Sequence, residues 1–479
     1  MKALVTAIYI LSVYIIGYIA SRNTKSVSDY IIGNRKLNAY TTALGAGASD
    51  MSGWLMMALP GVVFLSGVTE IWLPIGLTIG AYLNWKFVAK KLRKYTHHFG
   101  DAATIPSYFA NRFADKSNLL RIVTATAIII FFTVYIAAAF VSCAFVFEII
   151  LDLKYTDALL LSAVIIVSYT SIGGFIAINW IDMFQGILML FALVMVPIAI
   201  VNHLGGITNT VDILNNINAN ITNPFLKIAN IKIISLLAWG LGYFGQPHIL
   251  IRFMGAKNPY IIDKSRKICM SWMILSLIGA FLVGLFGSAL YPQGIANPET
   301  IFLKASDMLF SPWIAGILFA AVLSAIMSTI SAQLLVSSAS LIEDITFQIF
   351  NKDYLKRNGL LLNKIAVLII AAIAVVIAYN PQNTVLSLVA YGWGGLGATM
   401  GPVILLSLYW EKMTKFGAVI GMILSVITVI VWKNLSGGIF ELYEIVPGFT
   451  MCCLGILIGS ILERRFSKSP INISEEPNL

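Results

Sequence analysis

The sequence predicts an all-α polytopic membrane protein with about 13 transmembrane helices. Of its 479 residues, 58% are hydrophobic and only 11% are charged, which is more apolar surface than a water-soluble core can bury. The apolar residues gather in stretches of about 20, the length that crosses a bilayer as a helix. The basic residues fall mainly in every second loop between these stretches, as is typical of membrane proteins.

Thirteen stretches qualify as spans, and they are numbered here in chain order. Together they predict a single transmembrane domain over residues 1–465, followed by a short polar tail at 466–479. The spans are predicted at residues 3–21, 39–65, 72–90, 120–150, 158–173, 182–202, 232–252, 268–291, 312–345, 363–380, 385–409, 415–433 and 442–462.

The loops predict the orientation. All but six of the 32 Lys and Arg residues lie on one side of the predicted membrane, which the positive-inside rule assigns to the cytoplasm. We therefore expect the N-terminus outside and the tail in the cytoplasm. This bias also explains the net charge of +10. Nucleic-acid binding is not indicated, because no basic face with interleaved aromatic residues occurs.

Span two contains an acid among glycines, in the sequence GAGASDMSGWLMM at residues 45–57. An aspartate in hydrocarbon is costly, and glycine weakens a helix. Asp50 with Gly45, Gly47 and Gly53 therefore predicts a broken helix whose freed carbonyls suit an alkali cation. The alternative is that Asp50 caps a helix or pairs with a cytoplasmic arginine.

Candidate cation ligands occur in two spans. Ala48 and Met51 would offer carbonyl oxygens at the break in span two, and Ser52 a hydroxyl. Ser328 and Thr329 belong to a run of hydroxyl residues in span nine. Hydroxyls in membrane helices commonly bond back to their own helix, which explains this run when it is taken alone. Beside a broken, acid-bearing span, both residues become candidate ligands.

Span seven is interrupted as well, by the sequence GLGYFGQP at residues 240–247. Aromatic side chains in a span usually face lipid or the core. Trp239 and Tyr243 crowd around this break, however, and so predict a pocket for a small amphipathic solute. His248 is interpreted first as a structural histidine with satisfied ring nitrogens, and second as a proton relay. Tyr135 in span four is ambiguous by itself.

The two broken spans lie five spans apart, and an odd offset reverses orientation. We therefore expect inverted five-helix repeats at about 39–202 and 232–409, followed by two further spans at 415–462. Broken spans at corresponding positions are the sequence sign of a transporter's central site. Hydrolase, metalloprotease and nucleotide-binding motifs are not found, so we expect no enzyme activity and transport driven by an ion gradient.

At these residues the sequence resembles the sodium/solute symporter family, in particular its proline-transporting branch. The resemblance covers nearly the whole chain and is carried by GAGASDMSGWLMMALPGVVFLSG, GGFIAINWIDMFQ, WGLGYFGQPHILIRFM and IMSTISAQLLVSSAS. It implies the broken-helix amino-acid transporter fold with two inverted five-helix repeats. It also implies electrogenic uptake of L-proline with sodium by alternating access, in a bacterial inner membrane.

The resemblance implies roles for individual residues as well. Sodium would bind the carbonyls of Ala48, Met51 and Ala325 and the hydroxyls of Ser328 and Thr329, with Asp50 needed for coupling. Proline would contact Ser52, Gly53, Tyr135, Trp239, Tyr243 and Pro247. Coupling and gating on the cytoplasmic side would involve Arg35 and Asp182.

The chain departs from the family pattern at Ile181, where a threonine usually precedes the acid, at Ser107, where an acid is usual, and at Ala332, where a cysteine is frequent. None of these is an inferred ligand. Two alternatives stay open. A symporter for another small solute would keep the sodium residues and change the aromatic pocket, whereas a transporter-like sensor would need a signalling domain. No cofactor besides Na+, and no obligate protein partner, is expected.

Overall fold

The computed structural model describes residues 1–22, 26–172, 174–217, 223–225, 229–350, 352–380 and 384–466. Within these ranges the chain is helical and forms no β-strand, apart from one isolated bridge between Leu37 and Ala256. The all-α prediction is confirmed. The predicted tail at 466–479 lies outside the described residues, except for Phe466.

Most predicted spans are single α-helices. These helices are Lys2–Ser21, Leu119–Leu151, Tyr155–Ile172, Phe175–His203, Ile262–Leu290, Lys352–Ala378, Val385–Tyr409, Lys415–Lys433 and Ile445–Phe466. Two of the unbroken spans include a wider π-helical turn. Span three consists of Trp72–Leu83, the turn Asn84–Ala89 and Lys90–His98, and span nine consists of Pro312–Ala339 and the turn Ser340–Thr346. Shorter helices outside the spans are Val27–Ile32, Ile105–Arg112, Ile207–Ile217 and Ile301–Leu309.

Both predicted interruptions are present. Span two consists of Ala39–Asp50, a π-helical turn at Trp54–Ala58 and Leu59–Ser66. Span seven consists of Asn230–Ala238, a 3-10 segment at Trp239–Gly245 and Pro247–Met254. Each break therefore divides a helix that would otherwise cross the membrane.

The glycines of span two act differently from the prediction. Gly45 and Gly47 lie inside the regular helix, and the break follows at residues 51–53. A Cβ at Gly45 would lie 2.3 Å from Asn179 Oδ1, and one at Gly47 would lie 2.9 Å from the Trp272 ring. The expectation that these two glycines loosen the helix is wrong, because they instead allow spans six and eight to approach it.

Ten helices in the described part of the chain are long and apolar enough to cross a membrane. Span five is shorter, with an apolar stretch at Tyr155–Thr170, and the breaks divide spans two and seven. The chain is thus a multi-pass membrane protein, and the number of 13 crossings stays a prediction.

The packing of the spans repeats in a two-fold pattern. Span two packs against spans six and eight, and span seven packs against spans eleven and three. Likewise, span four packs against eleven and five, and span nine against six and ten. Adding five to the numbers of spans two to six, and subtracting five from those of spans seven to eleven, converts each contact into its counterpart. This correspondence is expected for two five-helix repeats. The broken spans two and seven also pack against each other.

Candidate functional site

The break in span two is held by its own hydrogen bonds. The backbone leaves the helix after Asp50, at Met51, where ψ is 80°. The Ser52 N–H and the Trp54 indole N–H each donate to the Asp50 carbonyl oxygen, both at 3.0 Å. The Trp54 backbone N–H also donates to the Ser52 hydroxyl at 3.3 Å. Polar backbone groups at membrane depth are stable only when they are satisfied or line a site in this way.

Oxygen atoms from spans two and nine meet beside this break. The Ser328 hydroxyl lies 2.8 Å from the Ala48 carbonyl oxygen and 3.0 Å from the Ala325 carbonyl oxygen. The Thr329 hydroxyl lies 3.3 Å from the same Ala325 oxygen. Four of the five predicted sodium ligands are therefore adjacent. The fifth, Met51, is buried at the break itself. Hydroxyl and carbonyl oxygens are the hard ligands that an alkali cation prefers.

Asp50 connects the two broken spans. Its Oδ2 accepts a 2.5 Å hydrogen bond from the Tyr243 hydroxyl, and the side chain is only 2% exposed. In the described structure the carboxylate pairs with no arginine, and its Oδ1 has no hydrogen-bond partner. A buried carboxylate with one unpartnered oxygen favours a positive charge nearby.

The predicted solute residues of span seven join an aromatic group that the sequence did not reveal. Trp239 stacks on Tyr443 with ring centroids 5.3 Å apart, and Tyr243 packs edge-on against Trp393 at 5.0 Å. The Trp393 indole N–H also donates to the Trp239 carbonyl at 2.8 Å. Only the fold brings spans seven and eleven together. The glycine-rich sequence around Trp393 was the one available signal.

The remaining predicted solute residues come from three spans. Tyr135 of span four lies near Ser52, and its hydroxyl has no hydrogen-bond partner within the described chain. Gly53 immediately precedes the π-helical turn Trp54–Ala58. Pro247 starts the second half of span seven and lines a small cavity that also includes Ser340 of span nine. Tyr135 and Ser52 therefore lie at the break, and Pro247 also borders a separate cavity.

The first interpretation of His248 is wrong. The side chain is fully buried, yet neither ring nitrogen has a hydrogen-bond partner among the residues that the structure describes. Its ring is instead held by edge-on contacts with Phe132 at 5.4 Å and Tyr135 at 6.4 Å. Neither aromatic ring satisfies a nitrogen, so His248 places an unpartnered polar group beside a predicted solute residue.

Arg35 fastens the end of span seven to neighbouring loops. Its guanidinium donates to Asp101 at 2.8 Å and to the Met254 carbonyl at 2.6 Å. A further bond reaches the Ala102 carbonyl at 2.9 Å. Burial lowers the pKa of the Arg35 guanidinium, and the Asp101 carboxylate opposes this shift. These contacts lie at the end of the molecule that is predicted to face the cytoplasm.

Asp182 pairs with Arg252, which lies at the predicted end of span seven. The two groups are 2.9 Å apart and fully buried, and Arg252 also donates to the His248 carbonyl at 2.5 Å. The structure does not join Asp182 to Arg35. Both predicted gating residues nevertheless bind the same helix, Pro247–Met254. Asp182 binds the Arg252 side chain of this helix, and Arg35 binds its Met254 carbonyl. The signal in the sequence was Asp182 itself, since an acid in a span needs a partner.

The Arg252→Gln variant should be destabilised by about 3–5 kcal/mol, because it leaves a buried carboxylate uncompensated. The double variant Arg252→Gln/Asp182→Asn should recover much of this loss, since neither group is then charged. Thermal unfolding of both purified proteins in detergent measures the difference. A double variant less stable than Arg252→Gln would show that the two groups do not act as a pair.

Comparison with known proteins now identifies the family. Residues 30–425 match the model of the sodium:solute symporter family. The chain belongs to this family. It is 45% identical to the sodium/proline symporter of Salmonella typhimurium, with 98% of this chain and 96% of the relative covered. Two further relatives come from Bacillus subtilis. The high-affinity proline transporter PutP is 45% identical, with 95% of this chain and 97% of the relative covered. The osmoregulated proline transporter OpuE is 42% identical, with 96% of this chain and 95% of the relative covered.

Solved structures support the fold of this sodium:solute symporter family member. A Na+-coupled sialic acid symporter in a substrate-bound outward-open state superposes with a TM-score of 0.82 at 18% identity, covering 96% of this chain and 98% of that one. Mhp1, a nucleobase-cation-symport-1 family transporter in a closed conformation, gives 0.56 at 14% identity over 92% and 96%. At such identities the likeness concerns the fold alone, and it confirms the predicted broken-helix transporter class.

Proposed function

We propose that this family member couples inward sodium flow to the uptake of L-proline by alternating access. The observation that carries the proposal is the 2.8 Å contact between the Ser328 hydroxyl and the Ala48 carbonyl. It places oxygen ligands of spans two and nine together, at a residue two positions before Asp50. The choice of proline is supported by the relatives, which are 42–45% identical and are named as proline transporters.

Sodium would join spans two and nine. Its proposed ligands are the carbonyls of Ala48, Met51 and Ala325 and the hydroxyls of Ser328 and Thr329. A cation among these oxygens replaces hydroxyl-to-carbonyl hydrogen bonds with stronger ion–dipole contacts, which hold the two spans in one arrangement. Asp50 balances the positive charge and carries the effect of the ion to Tyr243 through their hydrogen bond.

Proline would bind beside the break, on the side of Asp50 that faces away from the proposed sodium ligands. The helix that resumes at Gly53 would direct its positive N-terminal end toward the carboxylate of the solute, as helix N-termini do for anions. The aromatic rings of Tyr135, Trp239 and Tyr243 would enclose the pyrrolidine ring, with Ser52 and Pro247 completing the contacts. Because Tyr243 bonds to Asp50, the solute pocket and the cation site share one hydrogen bond.

This shared bond explains coupling in energetic terms. Sodium fixes the break and the position of Tyr243, so proline meets a formed pocket, and bound proline in turn holds the break for sodium. Each ligand must raise the affinity of the other by the same factor. Arg35 and Asp182 would act in gating, because both bind the half-helix Pro247–Met254 that carries the solute residues.

The proposal places the chain in a bacterial inner membrane, with the N-terminus outside and the C-terminus in the cytoplasm. It treats residues 1–465 as one transmembrane domain with a short tail. Na+ serves as the coupling ion and L-proline as the solute, and the lipid bilayer is the only other partner proposed. The transporter needs no further cofactor and no obligate protein partner in this proposal.

Uptake of labelled proline into proteoliposomes tests this function. An inward sodium gradient should drive accumulation above equilibrium, and replacement of sodium by choline should abolish it. Excess unlabelled proline should compete, whereas alanine and pantothenate should not. Sodium-driven uptake of another solute from such a panel, with proline inert, would overturn the choice of proline and leave the cation site standing.

The Trp239→Ala variant should raise the proline concentration for half-maximal uptake by about tenfold or more, since a buried aromatic contact is lost. The sodium requirement at saturating proline should change less than about twofold, because Trp239 lies outside the cation site. Initial rates of uptake over a proline series measure this effect. Trp313→Ala is the matched control, because that side chain is 49% exposed at the start of span nine. An unchanged proline requirement in Trp239→Ala would remove span seven from the pocket.

A further inference from the structure

Span nine carries a polar face beyond the proposed cation ligands. After Thr329, polar residues recur at Gln333, Ser337, Ser340 and Asp344, at intervals of four, four, three and four positions. Such spacing places all of them on one face of a helix. Every one is at most 1% exposed. The face runs from the proposed sodium ligands Ser328 and Thr329 to the end of span nine that is predicted to lie at the cytoplasmic side.

Most polar atoms on this face lack partners. Both amide atoms of Gln333, the hydroxyls of Ser337 and Ser340, and Oδ2 of Asp344 make no hydrogen bond with any described residue. Leaving a buried polar group unpaired costs about 1–3 kcal/mol. A row of such groups needs an explanation, and a path for a polar ligand that pairs with them in passing supplies one.

Two cavities adjoin the end of this face that is predicted to be cytoplasmic. The smaller one, of about 10 Å³, is bordered by Ser340, Thr104 and the predicted solute residue Pro247. The larger one, of about 300 Å³, is bordered by Thr104, Asp344 and Glu343. Thr104 lines both cavities and donates to Asp344 at 3.0 Å. Thr104 thus links the large cavity to the small one, a narrow and mainly apolar constriction in which Thr104 and Ser340 supply the polar groups and which reaches Pro247.

The large cavity has an excess of negative charge. Two carboxylates, Glu343 and Asp344, face one guanidinium, that of Arg121, whose Nε lies 3.5 Å from Asp344 Oδ1. Oε1 of Glu343 has no hydrogen-bond partner in the described ranges. Ser107 contributes only a hydroxyl to this cavity. The charges therefore favour a monovalent cation over an anion.

We propose that Glu343 and Asp344 form a release site, where the coupling cation pauses after it leaves the oxygens of spans two and nine along the polar face of span nine. This inference rests on the proposed sodium coupling. Hydroxyl and amide groups of the face replace water around the cation in transit, and the two carboxylates stabilise it at the mouth. The π-helical turn Ser340–Thr346 places both acids at the cavity, as such turns frequently do at functional sites.

The release site predicts opposite effects of two substitutions on inhibition by internal sodium. Carboxylates at the mouth raise the local sodium concentration and so favour rebinding from the inside. In Asp344→Asn, the internal sodium concentration that halves proline uptake should rise by about fivefold. Arg121→Gln removes the opposing positive charge, and this concentration should fall by a similar factor. Glu343→Gln, at a less buried position, should shift it in the same direction as Asp344→Asn.

Proteoliposomes loaded with a series of sodium concentrations, with external sodium and membrane potential fixed, measure these shifts. The matched control is Asp263→Asn, an exposed acid paired with Arg266 on span eight, which should behave like the wild type. Proline binding to each detergent-purified variant at saturating sodium should change less than about twofold. If the Arg121–Asp344 pair is only structural, Asp344→Asn and Arg121→Gln will shift the inhibition in the same direction or leave it unchanged, which overturns the release site. Proline uptake by the wild-type protein that does not depend on sodium would instead overturn the proposed function.

Discussion

The Asp50→Asn variant is expected to need at least about tenfold more sodium for half-maximal proline uptake, the cost of losing a charge-assisted contact. The amide oxygen of asparagine still accepts the 2.5 Å hydrogen bond from Tyr243. The solute pocket therefore keeps its shape, and the negative charge beside the cation site is the main loss. Proline affinity at saturating sodium should consequently change by no more than about threefold.

Sodium titrations of proline uptake, together with proline binding at saturating sodium, separate the two effects. Asp157→Asn is a suitable control, because this acid is exposed in the first turn of span five and belongs to neither broken span. Equal losses of sodium and proline affinity in Asp50→Asn would contradict the role assigned to the carboxylate, and would favour a purely structural link between spans two and seven.

The Ser328→Ala variant is expected to raise the sodium requirement by about tenfold as well, through the loss of one oxygen ligand and of the contact that joins spans two and nine. The structure offers a closely matched control one turn earlier. The Ser324 hydroxyl is equally buried, but it bonds back to the Ala320 carbonyl of its own helix at 2.8 Å. Ser324→Ala should therefore change the sodium requirement by less than about twofold.

Sodium titrations of uptake by Ser328→Ala and Ser324→Ala, run in parallel, measure this difference. Thr329→Ala should resemble Ser328→Ala, because the Thr329 hydroxyl lies 3.3 Å from the Ala325 carbonyl oxygen, a proposed sodium ligand that Ser328 also contacts. Identical behaviour of Ser324→Ala and Ser328→Ala would mean that the hydroxyl run of span nine serves only the helix, the alternative that the sequence left open.

Local chemistry made the broken helices predictable. Asp50 in an apolar stretch and the glycines before Pro247 contradict an ordinary membrane helix, and the structure breaks both spans there. The pairing of Ser328 with Ala48 followed from the family resemblance and not from spacing, because 280 positions separate the two residues. The breaks were therefore visible in the sequence, whereas the distances between them were not.

The missed contacts all depend on tertiary packing. Helix propensity predicts that Gly45 and Gly47 loosen the helix, but their effect comes from the neighbouring spans that approach them. Trp393 and Arg252 become recognisable only when spans seven and eleven, or seven and six, are placed side by side. The sequence predicts a hydrogen-bond partner for His248, because buried polar side chains usually have one. No pattern within span seven could show that aromatic rings surround it.

Equilibrium binding of labelled proline to the purified protein in detergent, at zero and at saturating sodium, tests the central claim most directly. If sodium between spans two and nine forms the pocket through Asp50 and Tyr243, sodium should lower the proline Kd by about tenfold or more in the wild type. In Ser328→Ala, the sodium concentration for this effect should shift to higher values. A proline Kd that is the same with and without sodium would contradict the account, because the coupling free energy between the sodium and proline sites would then be zero.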